Sequence, residues 1–217
     1  MLEIISAGIA PSVALLSYFY LKDEYESEPI SLVIKTFISG AFLVLPIMFI
    51  QYAFAEEGLL TSPFEKAFLS AGLLEEFFKW FILFFMIYKH AEFDEHYDGI
   101  VYGVAVSLGF AALENIFYLL ANGLHLALGR AILPVSSSAL FGVIMGYYLG
   151  KGKFSNNTDR TKWLLYSLFI PILLHGVYDY ILSIGDRWIY LAVPFMIFLW
   201  WLGLRKVKRA KKFEGGL

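Results

Sequence analysis

The chain has 217 residues, of which 59% are hydrophobic and 17% charged, with a formal net charge of -2 and a mean hydropathy of +0.66. Soluble domains are about 45–50% apolar and about 25% charged, so this composition argues against a water-soluble globule and for membrane-spanning helices. The absence of cysteine excludes disulfides, thiol catalysis and Cys-ligated zinc or iron–sulfur centres, and the lack of basic excess outside the C-terminal stretch argues against nucleic-acid binding.

Taken in chain order, Met1-Leu2-Glu3 offers no positive n-region. The first segment therefore reads as a retained membrane helix, not a cleaved signal peptide. A bilayer crossing needs about 20 mostly apolar residues. That rule predicts seven helices, over approximately 2–21, 32–54, 67–88, 97–121, 131–150, 163–184 and 187–204. Polar punctuation separates them at Lys22 to Glu28, Ala55 to Lys66, Lys89 to His96 and Lys151 to Lys162, while Gly185-Asp186 must make a tight turn. The connection 122–130 is apolar enough to lie along the membrane interface. The expected fold is all-α: one polytopic integral-membrane domain over 1–217 with a basic tail at 205–217.

Twelve Lys and Arg residues fall on one side of this arrangement and three on the other, Lys66, Arg130 and Arg187. The positive-inside rule then predicts a multi-pass protein of the cell membrane with its N-terminus outside and its C-terminus in the cytoplasm. Trp188, Tyr190, Trp200 and Trp201 read either as interfacial anchors or as packing residues.

Ionisable groups inside a span cost about 2.5–3.5 kcal/mol each even on a lenient scale, and they usually face the bundle interior and mark function. The third helix carries Glu75, Glu76 and Lys79, the fourth Glu114 with Asn115 and Tyr118, the fifth the run Ser136-Ser137-Ser138, and the sixth His175 and Asp179. With the predicted orientation and a rise of about 1.5 Å per residue, Glu75, Glu76, Glu114, the serine run and His175 share one layer roughly 8–14 Å below the outer surface. Four helices contributing polar groups at one depth predict a single buried site among helices 3–6, open to the outer side. Glu75 and Lys79 share a helix face, as do Phe110 and Glu114, and His175 and Asp179. Glu75 and Glu76 lie about 100° apart, so one is expected to face the site and the other to be bridged or paired with Lys79. Blander roles are weighed for the rest. Lys79 is equally a mere charge partner, Asp179 an orienter of His175, and Asn115 and Tyr118 helix–helix glue. His90, His96 and His125 are expected to be solvated, Asp98 to stand off the layer, and Gly99 and Gly103 to permit close packing.

The motifs Glu75-Glu76-x-x-Lys79, Phe110-x-x-x-Glu114 and His175-x-x-x-Asp179, in this order and on these helices, resemble the PrsW family of intramembrane proteases, within the wider group that includes the CAAX-processing type II proteases. Asp94-Glu95-His96-Tyr97-Asp98-Gly99 and Phe198-Leu199-Trp200-Trp201 strengthen the resemblance, which covers nearly the whole chain. It implies site-1 cleavage of a single-span anti-sigma factor on its outer side, in an envelope stress response. One position departs: in Leu133-Pro134-Val135-Ser136-Ser137-Ser138-Ala139-Leu140, Ser138 stands where the family's histidine is expected. Either serine is a natural variant or the histidine was replaced to inactivate the enzyme. The second reading is favoured, and the chain is expected to be inactive or nearly so.

Two mechanisms fit the resemblance. In the metalloprotease reading, Glu114, His175, the residue at 138 and one of Glu75/Glu76, provisionally Glu76, hold Zn²⁺, and the other glutamate is the base. In the metal-free reading, Glu75 and Glu114 activate water while His175 and Asp179 stabilise the oxyanion, as thought for CAAX-type glutamate proteases. The crowding of carboxylates tilts the balance toward a metal. A proton-coupled transporter is a weaker alternative, because the acids cluster near one face and no repeat is evident.

Overall fold

The computed structural model describes residues 1–23 and 26–214. Among these, seven helical rods and no strand are found. They are α1 (Leu2–Tyr20), α2 (Ile30–Glu56), α3 (63–87), α4 (Asp98–Asn122), α5 (Leu124–Lys153), α6 (Asn157–Leu182) and α7 (Trp188–Glu214). Six rods are long and apolar enough to cross a membrane by length and composition; α3 is the exception, its middle carrying Glu75, Glu76 and Lys79. The protein is an all-α, multi-pass membrane protein.

Prolines account for some of the irregularities. The ring of Pro46 clashes with the carbonyl four residues back, and α2 breaks there, between Phe42 and Val44. Pro63 opens α3 behind a capping box in which the Ser62 hydroxyl accepts the Glu65 N–H and the Glu65 carboxylate accepts the Ser62 N–H. Pro134 lies in a π-helical turn of α5, Ala131–Val135. Gly123 ends α4 and Gly185 turns the chain between α6 and α7, both with positive φ, which glycine adopts without strain.

The predicted ends shift in physically sensible ways. Helices α5 and α6 run into the polar stretch at 151–162, leaving only Phe154 to Asn156 between them. Lys151 and Lys153 in the last turn of α5 suit the negative end of the helix dipole. The basic stretch from Arg205 stays helical to Glu214, with Val207 and Ala210 buried in the main core. Phe213 stacks on His96 at 4.8 Å between ring centroids. His96 is thus half-buried, not solvated, and burial pushes its pKa down. Residues 215–217 of the expected tail lie outside the described residues. Trp200 is no lipid anchor: its indole N–H donates to Ser136 Oγ at 3.0 Å.

Helix α4 is the hub, buried on every side from Asp98 to Ala112, as expected for a helix apolar all round its circumference. A Cβ added at Gly103 would run into the Gly142 carbonyl, so these glycines let α4 and α5 touch backbone to backbone. At the end of the bundle far from the polar layer, Asp98 accepts the backbone N–H groups of Asp94 and Glu95, at 2.9 and 2.6 Å. It fixes the loop into α4 and stands off the layer. Beside it, Tyr102 donates to the buried carboxyl of Glu28.

Candidate active site

The polar layer is a single cluster with His175 at its centre. Its Nδ1 lies 2.9 Å from Glu76 Oε1, and its Nε2 lies 3.5 Å from Asp179 Oδ2 and 4.0 Å from Glu75 Oε2. Phe141 stacks on the ring at 5.1 Å. Helices α3 and α6 approach closely enough for this because Gly176 leaves room for the Phe68 ring.

Lys79 ties the two glutamates together. Its ammonium donates to Glu76 Oε1 at 2.8 Å and to Glu75 Oε2 at 3.4 Å, over the face of Phe110. All three sit on the α-helical segment Leu74–Ile82, flanked by π-helical segments Lys66–Leu73 and Leu83–Ile87. Spacings of three and four residues bring both carboxylates to one ammonium. Both carboxylates reach Lys79, and they approach His175 at its two different ring nitrogens. They still differ in exposure. The Glu76 and Lys79 side chains are almost sealed, at 0% and 1%, whereas Glu75 retains 13%.

Glu75, Glu114, Ser138, His175 and Asp179 line one chamber of about 130 Å³, together with Phe110 from the motif read in the sequence. Glu76 lies behind His175. Ser138 donates to the Ser107 carbonyl at 3.1 Å. Asn115 donates to the Gly8 carbonyl and is a tie between α4 and α1.

Two participants were missed in the sequence. Arg130, counted there only as a loop charge, donates to Glu114 Oε1 at 3.1 Å and to Asn115 Oδ1 at 2.8 Å and lies on the Tyr118 ring. Gln51 of α2 donates through Nε2 to Glu75 Oε1 at 3.3 Å and to the Ser70 carbonyl at 2.9 Å. As the single amide side chain in a long apolar helix it carried a signal, since polar groups in spans need partners.

The fit of a metal turns on what these donors already hold. Glu76 holds Lys79 and His175, Glu114 holds Arg130, and the Ser138 hydroxyl is a poor zinc ligand turned to a carbonyl. Among the described residues no three His, Asp or Glu side chains are placed to hold one ion. As arranged, the expected set Glu76, Glu114 and His175 does not fit a metal.

The family model described as "PrsW family intramembrane metalloprotease" matches residues 28–202. Three similar proteins are each named Protease PrsW. The one from Bacillus subtilis (strain 168) is 60% identical over 97% of this chain and 97% of its own length. That from Geobacillus kaustophilus (strain HTA426) is 61% identical over 98% and 94%, and that from Clostridioides difficile (strain 630) 36% identical over 96% and 91%. No solved structure matches. With the family's motifs gathered round one buried histidine and the match running nearly end to end, the chain belongs to the PrsW family of intramembrane proteases and is a membrane endopeptidase.

Proposed function

We propose that the protein makes the first cut in a single-span anti-sigma factor, just outside the membrane, as part of a stress response. In this reading the chamber opens outward, the N-terminus lies outside and the C-terminus lies in the cytoplasm of the cell. The observation that carries it is the grouping of Glu75, His175 and Asp179 around one small chamber beneath the helix ends.

The chemistry follows from the residues. Water in the chamber gives a proton to the Glu75 carboxylate as its oxygen attacks the scissile carbonyl carbon. Glu76, ionised against Lys79, accepts a hydrogen bond from His175 Nδ1 and fixes the ring. The Nε2 side, with Asp179 beside it, then faces the chamber, where the ring donates to the developing oxyanion. The proton held by Glu75 passes to the leaving nitrogen as the C–N bond breaks. Glu114, clamped by Arg130, borders the water and supports its activation.

Sequence reasoning tilted toward zinc because the carboxylates seemed to lack a counter-charge. Lys79 pairs with Glu75 and Glu76, and Arg130 with Glu114, which relieves part of that crowding and favours the metal-free route. The family's description as metalloprotease keeps a zinc route as the second reading. Co-reconstitution of the Ser138→His version with a purified single-span anti-sigma factor tests both. Cleavage that survives chelation and is lost in Glu75→Gln supports the glutamate route. Loss on chelation, restored by Zn²⁺, supports the other.

A further inference from the structure

Beside the chamber lies a second, larger cleft of about 710 Å³, between the end of α2, the 57–62 loop, the start of α3 and the end of α6. We propose that it docks an extended polypeptide, the segment by which a single-span substrate leaves the membrane; the identity of that substrate rests on the function proposed above.

Size and continuity carry the first part of the argument. The inner chamber, about 130 Å³, is worth only a few waters at about 30 Å³ each. It can take the reacting group but not the chain on either side of it. A protease must hold that chain, and the outer cleft is the adjoining volume: Asp179 and Leu182 line both. Clefts that bind ligands usually hold about 300–1,000 Å³.

Chemistry carries the second part. The cleft mixes apolar Phe54, Leu59 and Leu60 with polar Thr61, Lys66 and Ser70. A lipid tail would bury those polar groups without partners, at a cost. An extended peptide brings an N–H and a C=O at each residue, with side chains for the apolar patches. Gln51 at the floor is fixed in a particular way. Both partners of its Nε2 are acceptors, which settles which end of the amide is nitrogen. Its carbonyl oxygen has no hydrogen bond among the described residues and is free to accept a peptide N–H. Because the same amide donates to Glu75, a chain bound at Gln51 is registered against the carboxylate. Gln51 is thus a positioning residue that joins docking to chemistry.

Photo-crosslinking reads the groove directly. Benzoylphenylalanine is placed at Leu59, inside it, or at Tyr52, an exposed neighbour of Gln51 that does not line it. The full-length chain is reconstituted in phosphatidylethanolamine–phosphatidylglycerol liposomes with a purified single-span anti-sigma factor. Capture from Leu59, mapping to the substrate's outer juxtamembrane segment, is expected, with none from Tyr52. Capture from Tyr52 instead, or from neither, overturns the proposal. In a version that cleaves, Ala55→Trp should raise KM about tenfold more than it lowers kcat, the pattern of lost ground-state binding; an unchanged KM counts against the groove. In the Ser138→His version, crosslinking at Leu59 without cleavage would leave the groove standing and sink the activity reading. Cleavage without crosslinking would do the reverse.

Discussion

Glu76 and His175 are 99 residues apart in the chain, yet Oε1 and Nδ1 meet at 2.9 Å inside the bundle. The same Oε1 accepts from Lys79, so one buried oxygen orients the histidine and holds the ammonium. Removing one member strands the others. Lys79→Met leaves two carboxylates around an apolar side chain, and breaking a buried pair costs about 3–5 kcal/mol in soluble proteins. Lys79→Met should lower the midpoint of thermal unfolding in detergent far more than the double variant Glu76→Gln/Lys79→Met. Additive losses would show that the pair is not energetically coupled.

Catalysis should show the same interdependence. In an active version, Glu75→Gln, Glu76→Gln and His175→Ala should each abolish cleavage, and their losses should not add, because the groups act as a unit. Full cleavage by a His175→Ala protein that inserts normally would sink both mechanisms.

Much of the site was legible because a charged residue in a span is conspicuous. Glu75, Glu76, Lys79, Glu114, His175 and Asp179 stood out one by one, and helical rise with the predicted orientation put Glu75, Glu76, Glu114 and His175 at one depth. Hydropathy could not tell that Arg130, just outside the apolar run, folds back onto Glu114, nor that Gln51 reaches α3. Both contacts depend on how rods pack, and depth says nothing about rotation. The same blindness left Trp200 open between interfacial anchor and packing residue, where its rotation aims it at Ser136. Helix ends were misjudged where charged residues, such as Lys151 and Lys153, continue a helix beyond the lipid.

Topology can be checked independently. The split of twelve Lys and Arg residues against three predicts a cytoplasmic reporter after Leu217 and an accessible tag before Met1. Six rods meet the spanning criterion without α3. If α3 did not cross, both ends would lie on one side, and labelling would find them there.

Glu28 gives a pH-dependent stability. It is buried beside Tyr102 and Asp98, and burial raises its pKa to about 7. The unfolded carboxyl ionises near pH 4.5, the folded one only near 7. Between those values the folded state binds more protons, so stability falls as pH rises through this window and then levels off. Glu28→Gln mimics the protonated form. It should match the unsubstituted protein at pH 5 and melt at a higher temperature at pH 8. Equal melting shifts at both pH values would mean that the carboxyl does not titrate in this window.

Ser138 provides the sharpest test of what the chamber requires. Its hydroxyl is spent on the Ser107 carbonyl, yet the residue lines the same chamber as Glu75 and His175. An imidazole there would add a base and a metal ligand where serine is poor as both. As it stands, the chain is expected to cleave little or nothing, while folding normally and still capturing substrate in the outer groove. Ser138→His should restore cleavage of a single-span anti-sigma factor. If the zinc route operates, the same change should raise bound metal toward one ion per chain, with chelators abolishing the gain. If Glu75 activates water alone, restored cleavage should be indifferent to chelators and metal content should stay low. Equal rates for the serine and histidine versions would mean that position 138 only packs.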